Sequence, residues 1–282
     1  MLRRGFLAAG LAAGLAGCSA ADVLNATVSD DDVSETRDVR YAAGERHTLD
    51  VYRPRLTGGG LPLVVFIYGG GWNSGSKDTY AFVARPLVRR GMVVVVPDYR
   101  VSPQVAYPTF LEDNAKAVAW AFAHAAELGA DPARIVLVGH SAGAFNVAML
   151  ALDPRWLRAA GVSRDRLAGA AGLAGPYRFL PSSDPDVIPV FGADNTAANE
   201  PYAFADGRGP PMFLAAGTED TTVMPRNTTE LAARIRERGG RVTTKSYPGV
   251  GHIGLITAFA PLFQGRAPVL EDVAAFVGGV RR

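Results

Sequence analysis

Ile135-Val136-Leu137-Val138-Gly139-His140-Ser141-Ala142-Gly143 joins an apolar, largely β-branched run to a serine flanked by glycines, and an alanine-rich helical segment, Ala142 to Leu152, follows at once. A strand that turns directly into a helix holds the residue at the bend in a strained backbone conformation, and side chains at the flanking positions would collide with neighbouring elements. The bend lifts Ser141 into the open at a helix N-terminus, where the backbone dipole and the Ala142 N–H favour negative charge. Gly-x-Ser-x-Gly alone is a weak pattern in a chain with 32 glycines. Its place between a strand and a helix makes it a nucleophile elbow.

Outward from the elbow, short apolar runs alternate with longer helical segments. Leu63 to Tyr68, Met92 to Pro97, Ile135 to Gly139 and Met212 to Ala216 read as strands buried on both faces. Thr109 to Leu128, Ala142 to Leu152, Asn227 to Arg238 and Leu270 to Val277 read as helices. The fold class expected is α/β, a mainly parallel sheet covered by helices on both faces. His47 to Arg53 alternates polar and apolar residues, which predicts a half-exposed antiparallel strand near the sheet edge. The proline- and aspartate-rich stretch from Gly175 to Pro211 has no clean period and is expected to form a small, substrate-facing cap insertion, about 175–211. No linker divides the chain, so residues 36–282 are expected to form one catalytic domain.

The glycine loop Tyr68-Gly69-Gly70-Gly71-Trp72 lies where a predicted strand ends. Backbone N–H groups of Gly70 and Gly71, joined by that of Ala142, would form an oxyanion hole there. Gly58-Gly59-Gly60 precedes the same strand instead and reads as a turn. A serine hydroxyl needs a base, and an imidazole with a pKa near ~6.5 supplies one. His252, in the loop after the probable strand Val242 to Tyr247, is the candidate. His47 falls on a strand, His124 on a helix, and His140 is expected to point away from the elbow. The acid should lie between serine and histidine, beyond a strand's carboxyl end. Asp220 fits best; Glu219 is its neighbouring rival, and Asp186 and Asp194 are further acids in that interval. Trp72, Tyr99, Tyr177 and Phe179 are candidates to line an apolar pocket or to fill the core.

From about Leu63 to His252 the chain resembles the hormone-sensitive-lipase-like and feruloyl-esterase-like branch of the α/β-hydrolases. The resemblance rests on Gly69-Gly70-Gly71-Trp72, Asp98-Tyr99-Arg100 and Gly139-His140-Ser141-Ala142-Gly143. Its closest flavour is that of bacterial carboxylesterases related to isoprenylcysteine methylesterases and kynurenine formamidases. It implies an eight-stranded α/β-hydrolase sheet, a serine carboxylesterase acting through an acyl-enzyme, a small-molecule ester substrate and no cofactor. An aryl formamidase, or another amide hydrolase, would use the same residues. A lipid-anchored binding protein on a dead hydrolase fold is the rival from another class. Many relatives carry histidine before the glycines, where this chain has Tyr68.

At the N-terminus, Arg3 and Arg4 precede an apolar stretch, Gly5 to Gly17, too short to span a membrane. Arg3-Arg4-Gly5-Phe6-Leu7 resembles a twin-arginine export signal, and Leu15-Ala16-Gly17-Cys18 resembles a bacterial lipobox. Residues 1–17 are therefore expected to be a signal peptide, Cys18 a lipidated anchor to a membrane, and residues 18–35 a flexible tether, with order beginning near Thr36. The expected location is the bacterial periplasm or cell envelope. Cys18 is the only cysteine, so the folded domain holds no disulfide, cysteine–zinc site or thiol nucleophile. The spacing of the four histidines suits no metal site. Without residues 1–17 the chain carries 27 basic and 27 acidic side chains, which argues against a nucleic-acid partner.

Overall fold

The computed structural model describes residues 20–56 and 58–281; the expected signal peptide and Cys18 lie outside them. In chain order the elements are α1 (Ala20–Ala26), β1 (Val33–Arg40), β2 (Thr48–Pro54), β3 (Leu61–Ile67), α2 (Ala81–Val88), β4 (Val93–Pro97), α3 (Thr109–His124), β5 (Ala130–His140), α4 (Ala142–Leu152), α5 (Pro154–Ala159), β6 (Gly169–Leu173), α6 (Ile188–Phe191), β7 (Met212–Gly217), α7 (Arg226–Glu237), β8 (Val242–Tyr247), α8 (His252–Thr257) and α9 (Val269–Gly279). The eight strands of the described residues form one sheet, in the order β1-β2-β4-β3-β5-β6-β7-β8. β1 and β2 are antiparallel to their neighbours, and every pairing from β4 across to β8 is parallel. This is the expected α/β architecture.

The central strands are apolar runs because both faces are covered. Val93 to Val96 and Ile135 to Val138 are almost wholly inaccessible, and α4, which follows the elbow, is buried along its whole length. Two strands lack such a signal. β6 is Gly-Ala-Ala-Gly-Leu, with no β-branched residue, and its smallness has a steric cause. A Cβ on Gly169 would come within 2.9 Å of the Phe276 ring, and one on Gly172 within 2.0 Å of the Tyr177 hydroxyl. The helix α9 and the chain after β6 occupy the room that larger strand residues would need.

α1 and β1 correct the expectation of a tether over residues 18–35 for its described part, residues 20–35. Asn25 accepts from Phe82 N–H at 2.9 Å and donates to the Asp78 carbonyl at 3.1 Å, while Arg85 donates to the Val28 carbonyl at 2.8 Å. Val28 and Val33 are buried. Side-chain-to-backbone bonds dock this polar segment, so it shows no hydrophobic period. β2 is antiparallel as expected but not half-exposed. β1 covers its outer edge, and Asp50, a polar position in the alternation, is buried against Lys77 Nζ at 3.0 Å and the Asp38 N–H at 2.9 Å. Asp50 thus sits inside the protein, its charge paired with Lys77 through Oδ1 rather than solvated.

Residues 175–211 form a firmly attached loop rather than a separate lobe. It holds the four-residue α6 and short 3-10 turns. The buried Glu200 carboxylate accepts from the N–H groups of Phe179 (2.7 Å) and Leu180 (2.9 Å), and Phe191 stacks on Tyr107 and meets Trp72 edge-on. This loop is one wall of the cavity into which the elbow opens.

Candidate active site

Ser141 stands between β5 and α4 with φ +56° and ψ −125°, a conformation costly for a non-glycine residue. The flanking glycines make it attainable. A Cβ on Gly139 would lie 2.4 Å from the Gly143 carbonyl oxygen, and one on Gly143 2.0 Å from that of Ile67. Ser141 N–H is fixed to the Leu173 carbonyl at 2.9 Å. The two glycines therefore let β5, α4 and β3 close upon one another, and the serine is the side chain left facing out.

Ser141 Oγ is 2.9 Å from His252 Nε2, and His252 Nδ1 is 2.8 Å from Asp220 Oδ2. His252 opens α8, just beyond β8. Asp220 follows β7 and is 2% exposed. Its second oxygen, Oδ1, accepts from the N–H groups of Thr222 (3.0 Å) and Val223 (2.8 Å), which locks the carboxylate in one orientation. An ionised carboxylate only accepts, so Nδ1 donates to it and Nε2 is left to accept from the serine hydroxyl. The rivals named from sequence stand apart. Glu219 is exposed, with its own N–H bound to the Val250 carbonyl, and Asp186 and Asp194 are exposed on the 175–211 loop.

Gly70, Gly71 and Ala142 share with Ser141 a cavity of about 490 Å³. Gly70 (φ +119°) and Gly71 (φ +59°) adopt backbone conformations that favour glycine, and a Cβ on Gly70 would strike the Ser74 carbonyl. Among the described residues the N–H groups of Gly70 and Gly71 have no acceptor, so they are available to an oxygen in the cavity. Gly58–Gly60 precede β3 and take no part. Trp72 and Phe179 line the cavity; Tyr99 and Tyr177 are fully buried in the core.

Sequence reasoning missed what lies under the glycine loop. Tyr68 turns into the protein, stacked between Tyr99 (4.7 Å) and Tyr80 (5.4 Å), and donates to Asp98 Oδ1 at 2.6 Å. Burial, and then the neighbouring Tyr99 and Asp98, push its phenol well above the ordinary value, so the hydroxyl keeps its proton. Asp98 Oδ1 also accepts from Lys77 N–H at 2.8 Å, and Arg46 bridges the Tyr68 hydroxyl (2.9 Å) and the Gly75 carbonyl (2.8 Å). Both ends of the loop are thereby pinned. Trp72 is fixed separately, its indole N–H donating to Asn146 Oδ1 at 3.0 Å. Tyr68 in place of the relatives' histidine was the one available signal.

The family BD-FAE matches residues 49–157. Esterase B of Lactobacillus rhamnosis superimposes with a TM-score of 0.77 over 92% of this chain and 90% of its own, at 21% identity. The chain has the α/β-hydrolase fold. A probable isoprenylcysteine alpha-carbonyl methylesterase of Arabidopsis thaliana is 26% identical to this chain over 86% of it and 56% of its own length. Carboxylesterase NlhH of Mycobacterium tuberculosis is 42% identical over 39% of the chain and 34% of its own. The chain thus spans between about a third and two thirds of the length of these curated relatives.

Proposed function

We propose that this hydrolase is a serine carboxylesterase that cleaves carboxylic esters of small molecules through an acyl-enzyme. The reading rests on one observation: the Ser141–His252–Asp220 hydrogen-bond line ends in the same cavity wall as Gly70, Gly71 and Ala142. Ser141 Oγ attacks the acyl carbon while His252 Nε2 takes its proton. Asp220 orients the imidazole and stabilises its positive charge, and the three backbone N–H groups hold the oxyanion. His252 returns the proton to the departing alcohol, and a water activated by the same imidazole then releases the acid. Relatives named as esterases support this reading.

The N-terminal pattern supports a further part of the proposal. Arg3-Arg4 and the Leu15-Ala16-Gly17-Cys18 lipobox direct export, with Cys18 lipidated and the hydrolase held at a bacterial envelope membrane. A Cys18→Ala chain recovered wholly in the membrane fraction would overturn that anchor.

The catalytic reading is tested with a short and a long p-nitrophenyl ester and an aryl formamide, using wild type and Ser141→Ala. Ester turnover should fall on the order of 10⁴-fold or more in the variant. Full activity of Ser141→Ala overturns the mechanism. Turnover confined to the formamide makes it an amide hydrolase, and a wild type that neither turns over nor takes a fluorophosphonate label is a binding protein.

A further inference from the structure

His140 is the residue before the nucleophile, and the mechanism above gives it no task. It is buried, 4% exposed, at the end of β5, and its Nε2 lies 3.1 Å from the backbone carbonyl of His252. A carbonyl only accepts, so Nε2 carries the proton and donates it. The two imidazoles are neighbours, with ring centres 4.8 Å apart and planes inclined at 42°.

The loop that carries the base needs such a tie. It runs Gly249-Val250-Gly251-His252, with Gly249 at φ +70°, and glycines on both sides of Val250 leave its backbone few steric restraints. Besides the His252–Asp220 contact itself, two bonds hold it to the segment bearing Asp220: Gly249 N–H to Thr218 Oγ1 (3.0 Å) and Glu219 N–H to the Val250 carbonyl (3.0 Å). Those two act before Gly251, and the Asp220 contact holds only the side chain of His252. Among the described residues, only two hydrogen bonds cross from residues 249–257 to the stretch of β5, Ser141 and α4. One is the reacting Nε2–Oγ contact, which must break and re-form in every turnover. The other is the His140 bond.

We propose that His140 is a positioning residue: by donating to the His252 carbonyl it fixes the base-carrying loop against the strand that ends in Ser141. This rests on the esterase reading, and it adds a residue that touches neither substrate nor the reacting atoms. The surroundings of His140 suit the task. Burial, and then the nearby His252, lower its pKa to about 3, so it stays neutral at working pH. A second cation beside His252 would oppose the imidazolium that forms as Ser141 yields its proton. On its other side His140 meets the start of the glycine loop: a Cβ on Gly69 would lie 2.9 Å from the His140 carbonyl oxygen and 3.4 Å from Nδ1. One side chain thus abuts the segments that carry the base and the oxyanion donors.

The test compares His140→Phe and His140→Leu, which lack the donor, with His140→Gln, whose amide keeps an N–H on a chain of similar reach. Loss of the donor should lower kcat about 10- to 100-fold with KM within about twofold, because base and nucleophile lose alignment while the cavity is unchanged. Gln should restore kcat to within about threefold of wild type. A readout apart from activity is the downfield proton NMR resonance of His252 Nδ1–H in its bond to Asp220. It should broaden or vanish in Phe and Leu and persist in Gln. Wild-type kcat and an intact resonance in either apolar variant, or equal losses in Gln, Phe and Leu, would overturn the proposal. Were wild type to turn over no ester, the esterase reading would fall, and the resonance would still decide whether His140 positions His252.

Discussion

Among the described residues the protein contains two histidine–aspartate pairs, and only the one beside Ser141 opens to the cavity. His252 lies 2.8 Å from Asp220 by one nitrogen and 2.9 Å from the Ser141 hydroxyl by the other. His47 Nε2 lies 3.0 Å from Asp113 Oδ1, a contact not aligned as a hydrogen bond, and its Nδ1 is closed off by the Ala43 carbonyl. The carboxylates differ as well. Asp220 spends its second oxygen on two backbone N–H groups, whereas Asp113 is gripped by the forked guanidinium of Arg100 at 2.7 and 2.8 Å. A buried His–Asp pair is therefore not a signature of chemistry. What matters is the group facing the second nitrogen: a hydroxyl in a cavity leaves the imidazole a proton to take, and a carbonyl leaves it nothing to do.

Breaking the two pairs should separate rate from stability. Asp220→Asn should lower kcat on the order of 10³- to 10⁴-fold, by losing the oriented imidazole and the stabilised imidazolium, with little change in the unfolding midpoint. Steady-state kinetics beside a denaturant titration read both. Asp113→Ala should do the opposite, costing about 3 kcal/mol of stability by stranding Arg100 and His47, with kcat within a few-fold of wild type. It should also change the acid limb of stability. Burial opposes ionisation of Asp113, yet Arg100 and then His47 hold its carboxyl below the ordinary value. A depressed folded pKa gives stability that is complete above the unfolded value of ~3.9 and is lost as pH falls through the folded one. Wild type should therefore shed stability below about pH 4 that Asp113→Ala never had. A slow Asp113→Ala and a normal Asp220→Asn would reverse the assignment of the two pairs.

The same contrast governs what the sequence reveals. Ser141 was legible because its demand is local: Gly139 and Gly143 admit three backbones at one place, and no other residue fits. His252 was legible from chain order, since only a loop after a late strand reaches the elbow. Asp220 and Glu219 could only be ranked. They are adjacent, and what separates them is a turn in which Asp220 caps Thr222 and Val223 while Glu219 faces solvent. β6 and β1 left no pattern, the one made of glycine, alanine and a single leucine because Phe276 and Tyr177 crowd it, the other an edge strand paired with β2 and tied through Glu35 to Arg85. The props of the glycine loop were illegible for a related reason. Arg46, Tyr68 and Asp98 come from three segments that only the folded sheet brings together.

Tyr68→Phe probes those props with a smaller expected effect. It removes one hydroxyl that donates to Asp98 and accepts from Arg46, leaving the stacked ring in place. Stability should fall about 1–3 kcal/mol, the cost of leaving buried polar partners short of a bond. kcat should drop roughly tenfold or less, since Gly70 and Gly71 keep their N–H groups and lose only part of their support. A loss as large as that of Asp220→Asn would mean that the phenol itself reaches the cavity.

Glu219→Gln should have the smallest effect and sharpens the comparison most finely. Residues 219 and 220 share a strand end, a charge and a distance along the chain from His252 that differs by one position. The fold uses them differently: the backbone N–H of Glu219 ties the loop that carries His252 through the Val250 carbonyl, and its side chain points to water, while Asp220 turns inward to the imidazole. Replacing the exposed carboxylate by an amide keeps the backbone tie and removes only a screened charge, so kcat, KM and the thermal midpoint should stay within about twofold and a degree or two of wild type. If Glu219→Gln instead falls as far as Asp220→Asn, the inward carboxylate in solution is Glu219, and the turn capped by Asp220 has been misassigned its role.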